Sequence, residues 1–205
     1  MQNRDKQADN ERFWEAMGRI DEANSEDPNK EEFEGQMYPK ELLYSQRMSR
    51  WLARLAPDAT ETLQLAVRAQ HICRWAIPRD SYPIDREGYH RWRSDLGRFH
   101  AQRTGNILRS CGYDENSIQR LESLIRKERF KADPEAQTLE DVACLVFLQS
   151  HFSDFANQHE DEKIVGILRR TWKKMSAQGQ SEALTLPFSA KDRALIERAL
   201  SSAGE

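Results

Sequence analysis

Val142-Ala-Cys-Leu-Val-Phe-Leu148 is the longest stretch of the chain in which every residue is apolar, and it spans only seven positions. A strand covered on both faces and a helix covered all round both give such a run. Its surroundings favour helix. Thr138-Leu-Glu-Asp141 precedes it as a start signal, and elsewhere apolar residues recur three or four apart. A helix apolar on every side lies at the centre of a bundle. The expected fold is therefore all-α, a single-domain helical bundle over residues 1 to 205. With only 9 Gly and 7 Pro in 205 residues, little in the chain interrupts helix.

The order of helices follows from periodicity and punctuation. Phe13, Trp14, Met17 and Ile20 give one apolar face to a first helix over 11 to 23, and residues 1 to 10 are expected to be flexible. A polar connection over 24 to 37 leads to Pro39, which opens a second helix carrying Leu43, Tyr44, Met48, Trp51 and Leu55. Asp58 or Thr60 caps a third, with Leu63, Val67, His71 and Arg74 on one side. Pro78 and Pro83 bracket a rigid loop, after which a long helix runs from about 85 to 110 with Gly112 just past its end. Further helices are expected from Asp114, through 142 to 148, over 161 to 175, near 181 to 184, and after Ser189, where Asp192 completes a capping pair. No segment reads convincingly as a strand.

Charge is distributed unevenly. The net charge is -3, yet residues 1 to 36 hold eleven acidic side chains against five basic ones, while eight arginines crowd positions 68 to 103. That concentration points to a small anionic ligand near the centre rather than a wholly basic surface for nucleic acid. Cys73, Cys111 and Cys144 are odd in number and widely spaced, which fits reduced thiols better than a disulfide framework. No run of some 18 apolar residues is present and the amino terminus lacks an apolar signal core, so a soluble, cytoplasmic protein with no membrane partner is expected.

The candidate chemistry lies between Leu65 and Arg103. His71 follows Leu63 and Val67 at helical spacing, and His100 follows Leu96, so both face inward. A hydrogen-bonded core histidine is the plainer reading of either, but two on successive helices point to a site where they act as acid–base groups. Asp141 divides evenly between helix cap and site residue. Gln70, Arg74, Arg79, Tyr82, Trp92, Arg93, Arg126 and Lys127 are the expected substrate-binding side chains, because guanidinium groups grip carboxylate or phosphate in a fork. The plainer reading of the arginines is ion pairing with Asp80, Asp85, Glu87 and Asp95. Phosphate-binding loops, dinucleotide fingerprints and serine-nucleophile elbows are absent from the sequence.

Leu43-Tyr-Ser-Gln-Arg-Met48, Ala69-Gln-His-Ile72, Phe99-His-Ala-Gln-Arg-Thr-Gly-Asn-Ile-Leu108, Leu124-Ile-Arg-Lys127 and Leu139-Glu-Asp-Val-Ala143 follow one another in an order that resembles the HD-domain metal-dependent phosphohydrolases. The resemblance implies an HD-like core of about five helices over 40 to 150, with extra helices at both ends. It also implies a metal site in which His71 matches the histidine of the His-Asp doublet, His100 a later histidine and Asp141 the distal aspartate. One divalent ion, iron, manganese or zinc, would suit those three. Tyr44, Ser45 or Gln46 stands where the family has its first histidine, Ile72 where it has the doublet aspartate, and Arg126 or Lys127 where it has another histidine; a cation there repels a metal and suits an anion.

Gln70-His-Ile-Cys-Arg-Trp-Ala-Ile-Pro-Arg79, Tyr82-Pro83, Trp92-Arg93 and Leu139-Glu-Asp-Val-Ala-Cys-Leu-Val-Phe147 resemble the main blocks of domain-of-unknown-function family 4202. His71-Ile-Cys-Arg74 and Lys173-Lys-Met-Ser176 echo the signatures of class I aminoacyl-tRNA synthetases, but those work within a parallel sheet that this all-helical sequence does not offer. Three functions stay open on these grounds. One is a hydrolase, of the metal-dependent phosphohydrolase kind, acting on a small phosphorylated or nucleotide-type substrate. Another is a non-catalytic module binding an anionic small molecule or, less favoured, RNA. The last is a helical interaction protein using its acidic amino-terminal segment.

Overall fold

A computed structural model describes residues 2 to 201, with side chains described from 10 onward. The expectation of flexibility for residues 1 to 10 falls on Met1 and on side chains outside that set. The described residues form ten α-helices, two short 3-10 turns and one two-stranded hairpin, so the fold is all-α as expected. Their contacts gather into two compact units, Met1–Arg129 and Phe130–Glu205. The core expected over 40 to 150 runs across that boundary.

In the first unit α1 (Gln2–Ser25) is longer than its apolar face. Phe13, Ala16 and Ile20 are buried, but Trp14, expected on the same face, is 61% exposed and donates its indole N–H to Asn10 Oδ1 at 3.0 Å. Phe13 and Trp14 are adjacent in sequence, about 100° apart on a helix, and one narrow stripe does not take both.

The polar connection contains what the sequence did not announce, a hairpin of β1 (Lys30–Phe33) and β2 (Gln36–Pro39). Phe33 pairs with Gln36, and the two residues between them, Glu34 and Gly35, both have positive φ (52° and 76°). That is the signature of a tight primed turn. Glu34 is an unusual residue there, and strands of four residues give too little alternation to read. The hairpin rests on α2 through the Arg47–Glu31 ion pair at 2.5 Å and the Arg47 guanidinium over the Phe33 ring at 5.1 Å.

Helix α2 (Lys40–Leu55) begins after Pro39 as expected, and α3 (Glu61–Arg68) is capped by Thr60, whose Oγ1 accepts the Leu63 N–H at 3.2 Å. The third helix stops at Arg68, however. His71 and Arg74 therefore lie in a run of turns, not on a helical face, with Cys73 in the left-handed region at φ 50°.

Asp85 caps α4 (Arg86–Ser110) through the Gly88 N–H. At the other end Gly112, at φ 81°, and Tyr113 return their N–H groups to Arg109 and Leu108, the paired bonds of a Schellman motif. Asp114 then caps α5 (Glu115–Ile125). Helix α5 packs on α3 and α4, α2 packs on α1 and α3, and α1 also meets α3 and α4. Ile118, Leu121, Leu124 and Ile125 are all buried, each contributing about 1.5–3 kcal/mol.

The second unit is organised by α6 (Pro134–Ser150), which starts eight residues before the apolar run, at a cap from Asp133. It packs against α7 (Phe152–Asn157), α8 (Asp161–Lys174) and α9 (Ala177–Leu184). The helix expected at a centre is thus the hub of this unit. Helix α10 (Ala190–Ser201) pairs with α8, and Ser189 accepts the Asp192 N–H at 3.1 Å as expected. No helix among the described residues is long and apolar enough to cross a membrane.

Gly88 is where the loop after Pro78 meets α4, since a Cβ there would lie 2.2 Å from the Pro83 carbonyl oxygen. Backbone cannot swing aside as a side chain does. Gly88→Ala should therefore destabilise the protein by about 1–3 kcal/mol, read as a lower Tm in thermal denaturation followed by circular dichroism.

Candidate functional site

The first unit brings together residues from three separated segments. Glu41 sits in the first turn of α2, His71 in the turns after α3, and His100 on the inner side of α4. His71 Nδ1 is 3.6 Å from Glu41 Oε2, and its ring stacks on Tyr44 with centroids 4.3 Å apart and planes 10° from parallel. The His100 ring lies 6.0 Å from that of His71. Sequence reasoning anticipated both histidines but missed Glu41. Its only signal was an acid in a first turn, which favourable interaction with the helix dipole already explains.

The two buried members are both held towards neutrality. Glu41 is 6% exposed, and burial pushes its carboxyl up to about 7, against the pull of Arg74 and with the push of Asp27. Burial, helped by His71, drives the His100 imidazole down to about 3. His100 Nδ1 lies 2.8 Å from the Ile72 carbonyl oxygen. A carbonyl only accepts, so in the neutral ring Nδ1 carries the proton. His71 is different, with 27% of its side chain open to solvent.

Arg74 completes the cluster. Its guanidinium carbon stands 5.0 Å from the centre of the Trp92 ring, and its charge acts on both Glu41 and His100. Among the described residues its guanidinium makes no hydrogen bond and no ion pair. Trp92 is itself fixed by donating its indole N–H to Ile77 O at 2.9 Å. Gln70 is 7% exposed, and its Oε1 is buried with no hydrogen-bond partner.

The other expected side chains are engaged elsewhere or stand in solvent. Arg79 donates to the carbonyls of Tyr82 at 3.0 Å and Pro83 at 2.8 Å, stapling its own loop between the two prolines. Tyr82 gives its hydroxyl to Asp95 at 2.8 Å, and Arg98 pairs with the same carboxylate, while Arg91 pairs with Glu87 at 2.9 Å. Arg68 holds Asp21. Arg93 is exposed, where the inner boundary of the helix was expected. Arg126 is shared between Glu128 at 2.9 Å and Glu122 at 3.4 Å, and Lys127 follows it at φ 54°. Ion pairing thus accounts for three of the eight arginines between 68 and 103, Arg68, Arg91 and Arg98.

Asp141 belongs to the second unit and sits in the middle of α6, so Thr138-x-x-Asp141 is not the capping box expected of it. Thr138 bonds back to the Pro134 carbonyl instead. The Asp141 carboxylate, 2% exposed, accepts the Ser176 N–H at 2.8 Å, the Ser176 hydroxyl at 2.5 Å and the Gln137 amide at 3.0 Å. It fastens the start of α9 to α6, and Gly179 passes so close that an added Cβ would lie 2.8 Å from its carboxyl carbon.

Among the described residues no group of three or more His, Cys, Asp or Glu side chains is arranged to hold a metal ion. The Asp141 carboxylate already accepts three hydrogen bonds within its own unit, whereas His100, whose Nδ1–H goes to a carbonyl, keeps Nε2 as its acceptor.

The first unit's site is therefore a carboxyl–imidazole–guanidinium cluster on an all-α scaffold. The model of a family described as domain of unknown function, DUF4202, matches residues 14–196, and the chain belongs to that family. No curated protein and no solved structure matches it.

Two outcomes follow from these contacts. Asp141→Asn keeps the shape but weakens three bonds to a buried charge, and should cost about 2–4 kcal/mol in urea unfolding, whereas His71→Ala should cost under about 1 kcal/mol. Burial lifts Glu41 above the ordinary carboxyl value of about 4.5, so folding favours its proton. Stability from this group is greatest below about 4.5 and falls as pH rises to about 7, by roughly 3 kcal/mol. Glu41→Gln should remove that loss, and unfolding curves between about pH 5 and 8 check it.

Proposed function

We propose that the Arg74–His71–Glu41 cluster binds a small phosphorylated or nucleotide-type anion and that His71 exchanges a proton with it. The observation that carries this reading is Arg74, a half-buried guanidinium without hydrogen bond or ion pair among the described residues, beside an imidazole at the edge of solvent. A guanidinium fixed over an indole has its planar fork oriented in advance, which lowers the entropy lost on gripping an anion.

In the hydrolytic form of this reading, water adds to the phosphorus of a phosphate ester, the bond to the leaving oxygen breaks, and protonated His71 gives that oxygen its proton. Glu41, 3.6 Å from His71 and poised near 7, returns the proton and takes up the one the water loses. Arg74 neutralises charge on the remaining phosphoryl oxygens. A second reading, binding without turnover, is favoured by one observation: His100, the other expected acid–base group, is buried, neutral and bonded to Ile72. Stacking on RNA bases has less support, because Trp92 already carries Arg74 and Arg79 against its ring and Tyr82 is tied to Asp95.

Inorganic sulfate, whose charge is constant near neutrality, is a suitable probe. Calorimetric titration should show binding that weakens about tenfold from pH 6 to 8 as Glu41 loses its proton, a slope that Glu41→Gln makes shallower. Arg74→Ala should weaken it by about tenfold or more. A screen of p-nitrophenyl phosphate and nucleotides separates the two readings: turnover lost in His71→Ala with sulfate affinity kept supports the hydrolase, and absence of turnover supports the binding module. Sulfate binding equally to wild type and Arg74→Ala would refute both.

A further inference from the structure

An open groove of about 500 Å³ lies between α1 and α4 in the first unit, separate from the cluster around His71. Its volume is in the range of small-molecule sites. Arg19 closes part of it, donating to Glu15 at 2.6 Å on its own helix and to Ser110 at 2.5 Å on α4. That guanidinium is neutralised. Three charged side chains of the lining are not, at least among the described residues.

Glu22 lies in the last turn of α1 and Glu26 just past its end, and neither carboxylate has a hydrogen bond or ion pair among the described residues. On the facing helix the charge of Arg103 acts on the Cys73 thiol, and its guanidinium pairs with no carboxylate among the described residues. Opposite charges thus line one groove without neutralising each other. Two carboxylates face one guanidinium, and between them Ala23 and Ile107 supply an apolar floor.

We infer that this groove binds a small basic zwitterion, a molecule with two cationic nitrogens and one carboxylate joined by an apolar stem, which is the class of the basic α-amino acids. The cationic nitrogens meet Glu22 and Glu26, the carboxylate meets the Arg103 fork, and the methylene stem covers Ala23 and Ile107. The complex leaves none of these charges unmatched.

Calorimetric titration of the full chain with L-arginine, agmatine, which is arginine without its carboxylate, and L-glutamate tests this, with NaCl added to constant ionic strength. L-Arginine is expected to bind about tenfold tighter than agmatine, a preference that Arg103→Gln abolishes. The double substitution Glu22→Gln with Glu26→Gln should weaken L-arginine by about tenfold or more and leave sulfate binding at Arg74 unchanged. All three side chains lie at the surface, and circular dichroism verifies that the variants fold. L-Glutamate binding as well as L-arginine, loss of L-arginine binding at matched ionic strength, or an unchanged double variant would overturn the inference. Sulfate competing with L-arginine for one site would do so as well.

Discussion

Two buried side chains at the end of α1 hold the first unit's site in place. Asp27, 1% exposed, accepts the Asn29 N–H and side-chain amide on one oxygen and the Glu41 N–H on the other, each at 2.9 Å. Asn24, also 1% exposed, accepts the Cys73 N–H at 3.0 Å. The first contact fixes where α2 begins, and with it Glu41. The second holds Cys73 left-handed, which sets the direction of the chain into Arg74. Hydrogen bonds to a buried carboxylate are worth about 1.5–3 kcal/mol each, enough to impose a backbone conformation that a non-glycine residue otherwise avoids.

With that frame in place, burial sets the electrostatics. It raises Glu41 and lowers His100, moving an acid and a base in opposite directions towards the same uncharged condition. The interior therefore carries little charge of its own. His71, partly open to solvent and braced by Tyr44, is the member of the cluster that reaches water, and Arg74 supplies the fixed positive charge.

Much of this was legible in advance, and the failures have definite causes. Asp85, Asp114, Thr60, Ser189 and Gly112 act through local hydrogen bonds, which is why the sequence announced them. The third helix ends at Arg68 with no glycine or proline to stop it, because the Asn24–Cys73 bond, 49 residues apart, redirects the chain. Asp141 was paired with the wrong element since Thr138-x-x-Asp141 imitates a cap, while the true cap lies at Asp133 and the carboxylate answers Ser176, 35 residues on. Arginine crowding was visible; that Asp21, Glu87 and Asp95 take up Arg68, Arg91 and Arg98 while Arg74 is left over depended on side-chain geometry.

The sequence by itself determined the helical class and most helix starts, because periodicity, capping and turn chemistry act over a few residues. Tertiary structure alone decided that Glu41 joins His71 and His100, that Arg74 is the arginine left over Trp92, and that Asp141 serves its own unit as a clamp. Those outcomes depend on contacts between distant segments and on burial, which move a carboxyl to about 7 and an imidazole to about 3, and neither quantity is written in local spacing.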